Sequence, residues 1–165
     1  MAESFRWLSP LGTSVAIFLT IGALWVLIGV LTLLLLNRTT GPQIIFVSHP
    51  TDAAYFGSSP DELLASDPAV FKLRTLLIKV IAGFLVLSGL LFLSIAWFAL
   101  KQGHTWALLS LASSALLVIA FWALALLPYF RAGIRVTIGD LPPFMWIPAA
   151  LIIPAILLGW IGLRW

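Results

Sequence analysis

Cysteine is absent from all 165 residues. That excludes disulfides, thiolate nucleophiles, cysteine-bound iron–sulfur clusters and Cys-bound zinc, and with them a thiol–disulfide redox enzyme. Charge is scarce as well: nine Lys and Arg and six Asp and Glu make up 9% of the chain, against about 25% in soluble domains. Where the charge is missing matters more than how much is missing. No Asp, Glu, Lys or Arg falls within 7–37, 80–100, 102–130 or 141–163, and each window reaches the roughly 20 residues that cross hydrocarbon as a helix. Without ionisable groups at depth, pumps, proton relays and ion-coupled carriers have little support. Nor does the first half of the chain repeat in the second, as an internally duplicated carrier would.

What is present is 62% hydrophobic, with eight tryptophans. The pattern predicts an all-α membrane protein: one transmembrane domain over 1–165, a four-helix bundle with spans at about 11–36, 76–100, 105–127 and 143–163, and a polar loop at 37–71. The first apolar run is too long for a signal-peptide core and lacks a small-residue cleavage site, so it is expected to stay as a span. Trp7, Trp97, Trp106, Trp146, Trp160 and Trp165 lie near span ends, as an interfacial belt would, while Trp25 and Trp122 lie deeper. The net charge of +3 reads as span-flanking basic residues touching lipid headgroups and not as a nucleic-acid footprint. If the first and third loops are cytoplasmic, that side holds Arg38, Lys72, Arg74, Lys79, Arg131 and Arg135, against Arg6, Lys101 and Arg164 opposite. The bias favours cytoplasmic loops, as in a bacterial inner membrane.

The loops carry local signals. Ser59-Pro60-Asp61-Glu62 supplies an N-cap, a proline at N1 and a glutamate at N3, predicting a short helix from Pro60 to about Ser66. Asp67-Pro68 then starts a new helical run that continues into the second span. Residues 43–47 (QIIFV) are β-branched and aromatic, and Ile134, Val136 and Ile138 alternate with Arg135 and Thr137. Both read as short strands, which on one membrane face would pair into a two-stranded ribbon and complete a small polar cap from loops one and three. The third span is expected to end at Pro128, and Pro154 to kink the fourth.

Small residues recur at helical spacing: Gly12 and Ala16 four apart, Gly22 and Gly29 seven apart, and Ala155, Gly159 and Gly162 in the last span. They predict close helix packing, because lipid gives helices no hydrophobic reason to associate. Ser88, Ser94, Ser110, Ser113 and Ser114 would line a pore assembled from several copies, but serve equally as interface residues. His49 and His104 fall on opposite membrane faces and cannot be axial partners on one haem within the chain. In loop one, His49 and Asp52 three apart, with Tyr55 nearby, are candidates for a metal or for acid–base work; no nucleophile, phosphate loop or HExxH pattern accompanies them. No catalytic residue, metal or cofactor is therefore predicted.

Two stretches carry a family likeness: 55–63 (YFGSSPDEL) and 96–107 (AWFALKQGHTWA). They resemble bacterial four-span integral membrane proteins of uncharacterised function, in which a YFG-x-x-x-x-E-L loop precedes span two and a basic turn ending in Gly-x-x-Trp-Ala joins spans two and three. The likeness covers 55–107 and departs where such relatives carry two basic residues and this chain has Lys101-Gln102. It implies a fold and no activity. The function expected from the residues is a non-enzymatic accessory subunit, in contact with membrane lipids and packed against other membrane proteins or itself. The alternatives are a small-molecule or lipid-binding module with its cavity beneath the loop-one cap, and an enzyme using loop one.

Overall fold

The computed structural model describes residues 5–36 and 44–164, and there the chain is helical without a strand. Four helices are long and apolar enough to cross a membrane: α1 (Pro10–Leu35), α4 (Pro68–Phe98), α5 (Thr105–Arg131) and α6 (Pro143–Arg164). Two short helices, α2 (His49–Phe56) and α3 (Pro60–Ser66), precede α4. This is the architecture of an integral membrane protein. α4 runs for 31 residues, about 46 Å at 1.5 Å per residue, so its first turns with Lys72, Arg74 and Lys79 extend beyond what a bilayer core requires.

Local chemistry fixes the helix starts. Ser9 caps α1 by accepting the Gly12 N–H, and Asp67 caps α4 by accepting that of Ala69. In α3, the Ser59 hydroxyl accepts the Glu62 N–H while the Glu62 carboxylate accepts the Ser59 N–H, a complete capping box. Between α4 and α5, Leu100–Gln102 tightens into a 3₁₀ turn closed by Gly103 at φ +83°, a conformation that costs glycine nothing.

α1 is the centre of the bundle. It lies antiparallel to α4 along one face and to α6 along another. Towards α4 the contact is backbone on backbone: a Cβ on Gly22 would sit 2.8 Å from the Gly89 carbonyl oxygen, one on Gly89 2.5 Å from that of Gly22, and one on Gly29 2.7 Å from that of Ala82. Val15 and Ala96, one heptad earlier on α1 and later on α4, are both fully buried. Towards α6, the Ser14 hydroxyl donates to the Ala155 carbonyl at 2.7 Å, Gly159 lies against Ser14 and Leu108, and Gly162 against Leu11. Phe18, Ile21, Leu111 and Ile152 fill the space between them. Outside this core the surface is leucine, isoleucine and phenylalanine, which suits lipid.

Two expectations change. The ribbon does not form among the described residues; Gln43 lies outside them, 45–47 is a series of bends, and 134–136 is irregular. The physical reason is competition for donors: the N–H groups of Ile45, Phe46 and Val47 go to the Asp52 carboxylate, and that of Ile134 to the Tyr129 carbonyl. An isolated two-stranded ribbon is marginal and offers the backbone less. Pro128 does not end the third long helix, since α5 continues one turn to Arg131. α6 stays helical through Pro148 and Pro154.

Candidate functional site

The polar centre of the loop side is built by α2. Ser48 caps this helix, Pro50 occupies its first turn, and Gly57 at φ +73° ends it. One turn in, Asp52 is fully buried. Its Oδ2 accepts the N–H groups of Ile45 at 2.8 Å and Phe46 at 2.9 Å; its Oδ1 accepts that of Val47 at 3.1 Å and the Tyr129 hydroxyl at 2.9 Å. Consecutive backbone N–H groups turned to one side form an anion-binding nest, and here the chain supplies its own anion. Arg74 secures the neighbouring residue by donating from Nε to the Ile44 carbonyl at 2.7 Å. Because Tyr129 lies in the turn that α5 adds beyond Pro128, Asp52 ties loop one to the end of α5.

A second tie joins loop one to loop three. Asp140 accepts the Thr137 N–H at 2.8 Å and the Thr137 hydroxyl at 2.7 Å on Oδ2, and the Ser48 hydroxyl at 3.0 Å on Oδ1. The donors of Thr137, joined by the hydroxyls of Ser48 and Thr51, hold its carboxyl down at a pKa of about 2.

Beneath these ties the side chains turn aromatic. Tyr55 stacks on Tyr129 at 4.4 Å, Phe46 lies between Tyr129 and Trp122, and Trp122 meets Phe144 at 6.0 Å. Trp25, only 2% exposed, donates its indole N–H to the Phe144 carbonyl at 3.3 Å. That carbonyl is the one whose helical partner would be residue 148, and Pro148 has no N–H to give. The indole therefore satisfies an acceptor that the proline orphans.

Between α5 and α6, below this cluster, an open cleft of about 300 Å³ is lined by apolar side chains. Trp122, Ala123 and Phe130 form one wall, Trp146, Ala149 and Ile152 the other, and Trp25 closes the back. It lies beside Pro148 and is not lined by Pro154.

The residues singled out from sequence distribute as follows. His49 and Asp52 share nothing: the His49 Nε2 pairs with Asp61 Oδ2 at 3.0 Å, while Asp52 is enclosed by N–H groups. Tyr55 packs on Tyr129. No group of three His, Asp or Glu side chains suited to a metal occurs among the described residues. Gly12 lies against the Arg6 and Trp7 carbonyls of its own chain, and the Ala16 carbonyl accepts the Thr20 hydroxyl within α1. Gly22 and Gly29 face α4, and Ala155, Gly159 and Gly162 face α1. Sequence reasoning passed over Tyr129 and took Arg74 only as a span-flanking charge; the roles of both depend on partners far away in the chain. It also passed over Ala82, Gly89 and Ala96, whose spacing of seven matches that of Gly22 and Gly29 and was legible.

No protein-family model, curated protein or solved structure matches the chain.

Proposed function

We propose that this integral membrane protein is a lipid-binding module that holds one apolar chain, of the kind an acyl or isoprenoid lipid provides, in the α5–α6 cleft. The observation that carries the reading is the cleft itself: about 300 Å³, walled by Trp25, Trp122, Trp146 and Phe130, with Leu141 of the α5–α6 connection also in its lining. Apolar sites of this size with a few polar groups at the rim are what small hydrophobic ligands occupy. In a bilayer the neighbouring molecules able to fill such a cleft are lipids. The small residues that motivated an accessory subunit argue less for one, because Gly22, Gly29, Gly159 and Gly162 serve contacts within the chain.

The subunit reading keeps one supporting observation: Ser113 and Ser114 are exposed on the outer face of α5 among Leu109, Leu116 and Leu117. Small polar residues on a lipid-facing surface suit a helix partner. The predominance of basic residues on the loop side supports a cytoplasmic location for loops one and three in a bacterial inner membrane.

Native mass spectrometry after gentle extraction tests both. Under the lipid-binding reading the chain retains one lipid-sized molecule, and Ala149→Phe, which fills the cleft, abolishes retention while leaving the fold intact. A defined larger protein complex without a retained small molecule would replace it with the subunit reading.

A further inference from the structure

On the loop side the cleft ends at Phe130 and Leu141, and the residue after Phe130 is Arg131, exposed in the last turn of α5. Arg135 is exposed four residues on, because Ile134 and Val136 on either side of it pack inward on Val47, Leu126 and Tyr129. Neither guanidinium has a hydrogen bond or an ion pair among the described residues.

The acids of the same face are already engaged. Asp52 is held by three N–H groups and Tyr129, Asp61 by His49, Glu62 in a capping box, Asp67 at a helix start and Asp140 by Thr137 and Ser48. On the opposite face, two of the three cations have ring partners. There Lys101 Nζ lies 3.8 Å from the centre of the Trp97 ring, and Arg164 4.5 Å from that of Trp160. Aromatic faces provide those cations with a partner; Arg131 and Arg135 have none among the described residues.

From these two guanidiniums, one in the last turn of α5 and one in the connection that joins the two walls of the cleft, the geometry points to an anionic phospholipid as the occupant, its acyl chain in the α5–α6 cleft and its phosphate and headgroup charge at Arg131 and Arg135. The inference rests on the cleft reading and adds the headgroup class. A guanidinium presents paired donors that match a phosphate, whereas a zwitterionic headgroup brings an ammonium that the same two cations repel.

The test uses the full chain in nanodiscs made of equal phosphatidylglycerol and phosphatidylcholine, with the retained lipid identified by native mass spectrometry. Two cations beside the headgroup should enrich phosphatidylglycerol about tenfold in the retained molecule. R131Q/R135Q should return the ratio to that of the bulk bilayer with a lipid still retained, and R131K/R135K should keep most of the preference. K72Q/K79Q, which removes basic charge from α4 on the same face, should leave it unchanged. Retention at the bulk ratio in the unmodified protein overturns the headgroup assignment alone, and an equal loss in K72Q/K79Q shows a general surface field in place of a site. Absence of any retained lipid overturns the cleft reading and this inference together.

Discussion

Replacing Asp52 by Asn changes one atom of a fully buried side chain and should release a segment of loop one. Four donors converge on the carboxylate: the N–H groups of Ile45, Phe46 and Val47 and the Tyr129 hydroxyl. An asparagine keeps one acceptor oxygen and turns an NH₂ group towards donors. If that oxygen keeps Ile45 and Phe46, the Tyr129 hydroxyl can rotate to accept, but the Val47 N–H loses its 3.1 Å acceptor to an NH₂ group and keeps only the long 3.4 Å approach to the remaining oxygen. Losing a charge-assisted bond costs about 1.5–3 kcal/mol and an unsatisfied buried donor about 1–3 kcal/mol; because the Val47 N–H keeps its long contact, the low end of the sum applies, about 3 kcal/mol. At 1.4 kcal/mol per factor of ten, local opening becomes about a hundredfold more frequent. Amide hydrogen exchange of the detergent-solubilised protein should show this at Ile45, Phe46 and Val47, with the α1–α4 seam unaffected. Tyr129→Phe, which removes one of the four donors, should give a smaller increase at the same amides. Unchanged exchange at those three residues in Asp52→Asn would refute the claim that the carboxylate organises the loop.

Further outcomes follow from other contacts. Trp25→Phe should destabilise the protein by about 1–3 kcal/mol by stranding the Phe144 carbonyl, and by clearly less in a Pro148→Ala background, where residue 148 regains an N–H; a double-mutant cycle with no coupling would break the proposed exchange of partners. Gly89→Ala should cost about 1–3 kcal/mol in a reversible unfolding assay, because its Cβ would meet the Gly22 carbonyl at 2.5 Å, while Gly83→Ala, with nothing within 4 Å, should be neutral or slightly stabilising. The Asp140 carboxyl should titrate near pH 2 by carbon NMR and move upward in Thr137→Val. Since its folded pKa lies below the ordinary 3.8, the tie to Ser48 is at full strength above about pH 4 and is lost as pH falls towards 2.

The four long helices were legible because a bilayer leaves the backbone little alternative and removes charge from the segments that cross it. α3 was legible for a local reason, the reciprocal bonds of Ser59 and Glu62. By the same logic α2 was within reach: Ser48, Pro50 and Gly57 are cap, first-turn and stop residues, yet the β-branched run before them drew the reading towards a strand. That run lost its strand to Asp52, three residues into the helix that had been passed over. Asp52 itself stood out from the sequence, but its partner Tyr129 is 77 residues away and no periodicity links them. Pro128 misled for a different reason. In a membrane helix a missing N–H is tolerated more readily than in water, and the extra turn of α5 is what delivers Tyr129.

The central position of α1 also bears on how the chain is assembled as it leaves the ribosome. α1 emerges early, but one of its faces waits for α4 and another for α6, whose first residue lies more than a hundred positions downstream. At a synthesis rate of about 5–20 residues per second, that gap is roughly 5–20 s. Throughout it the Ser14 hydroxyl has no interhelical acceptor and must fall back on a carbonyl of its own helix, while Leu11 and Ser14 face lipid in place of Gly162 and Gly159. A nascent chain halted after α5 would leave that face of α1 without the helix that fills it in the complete bundle.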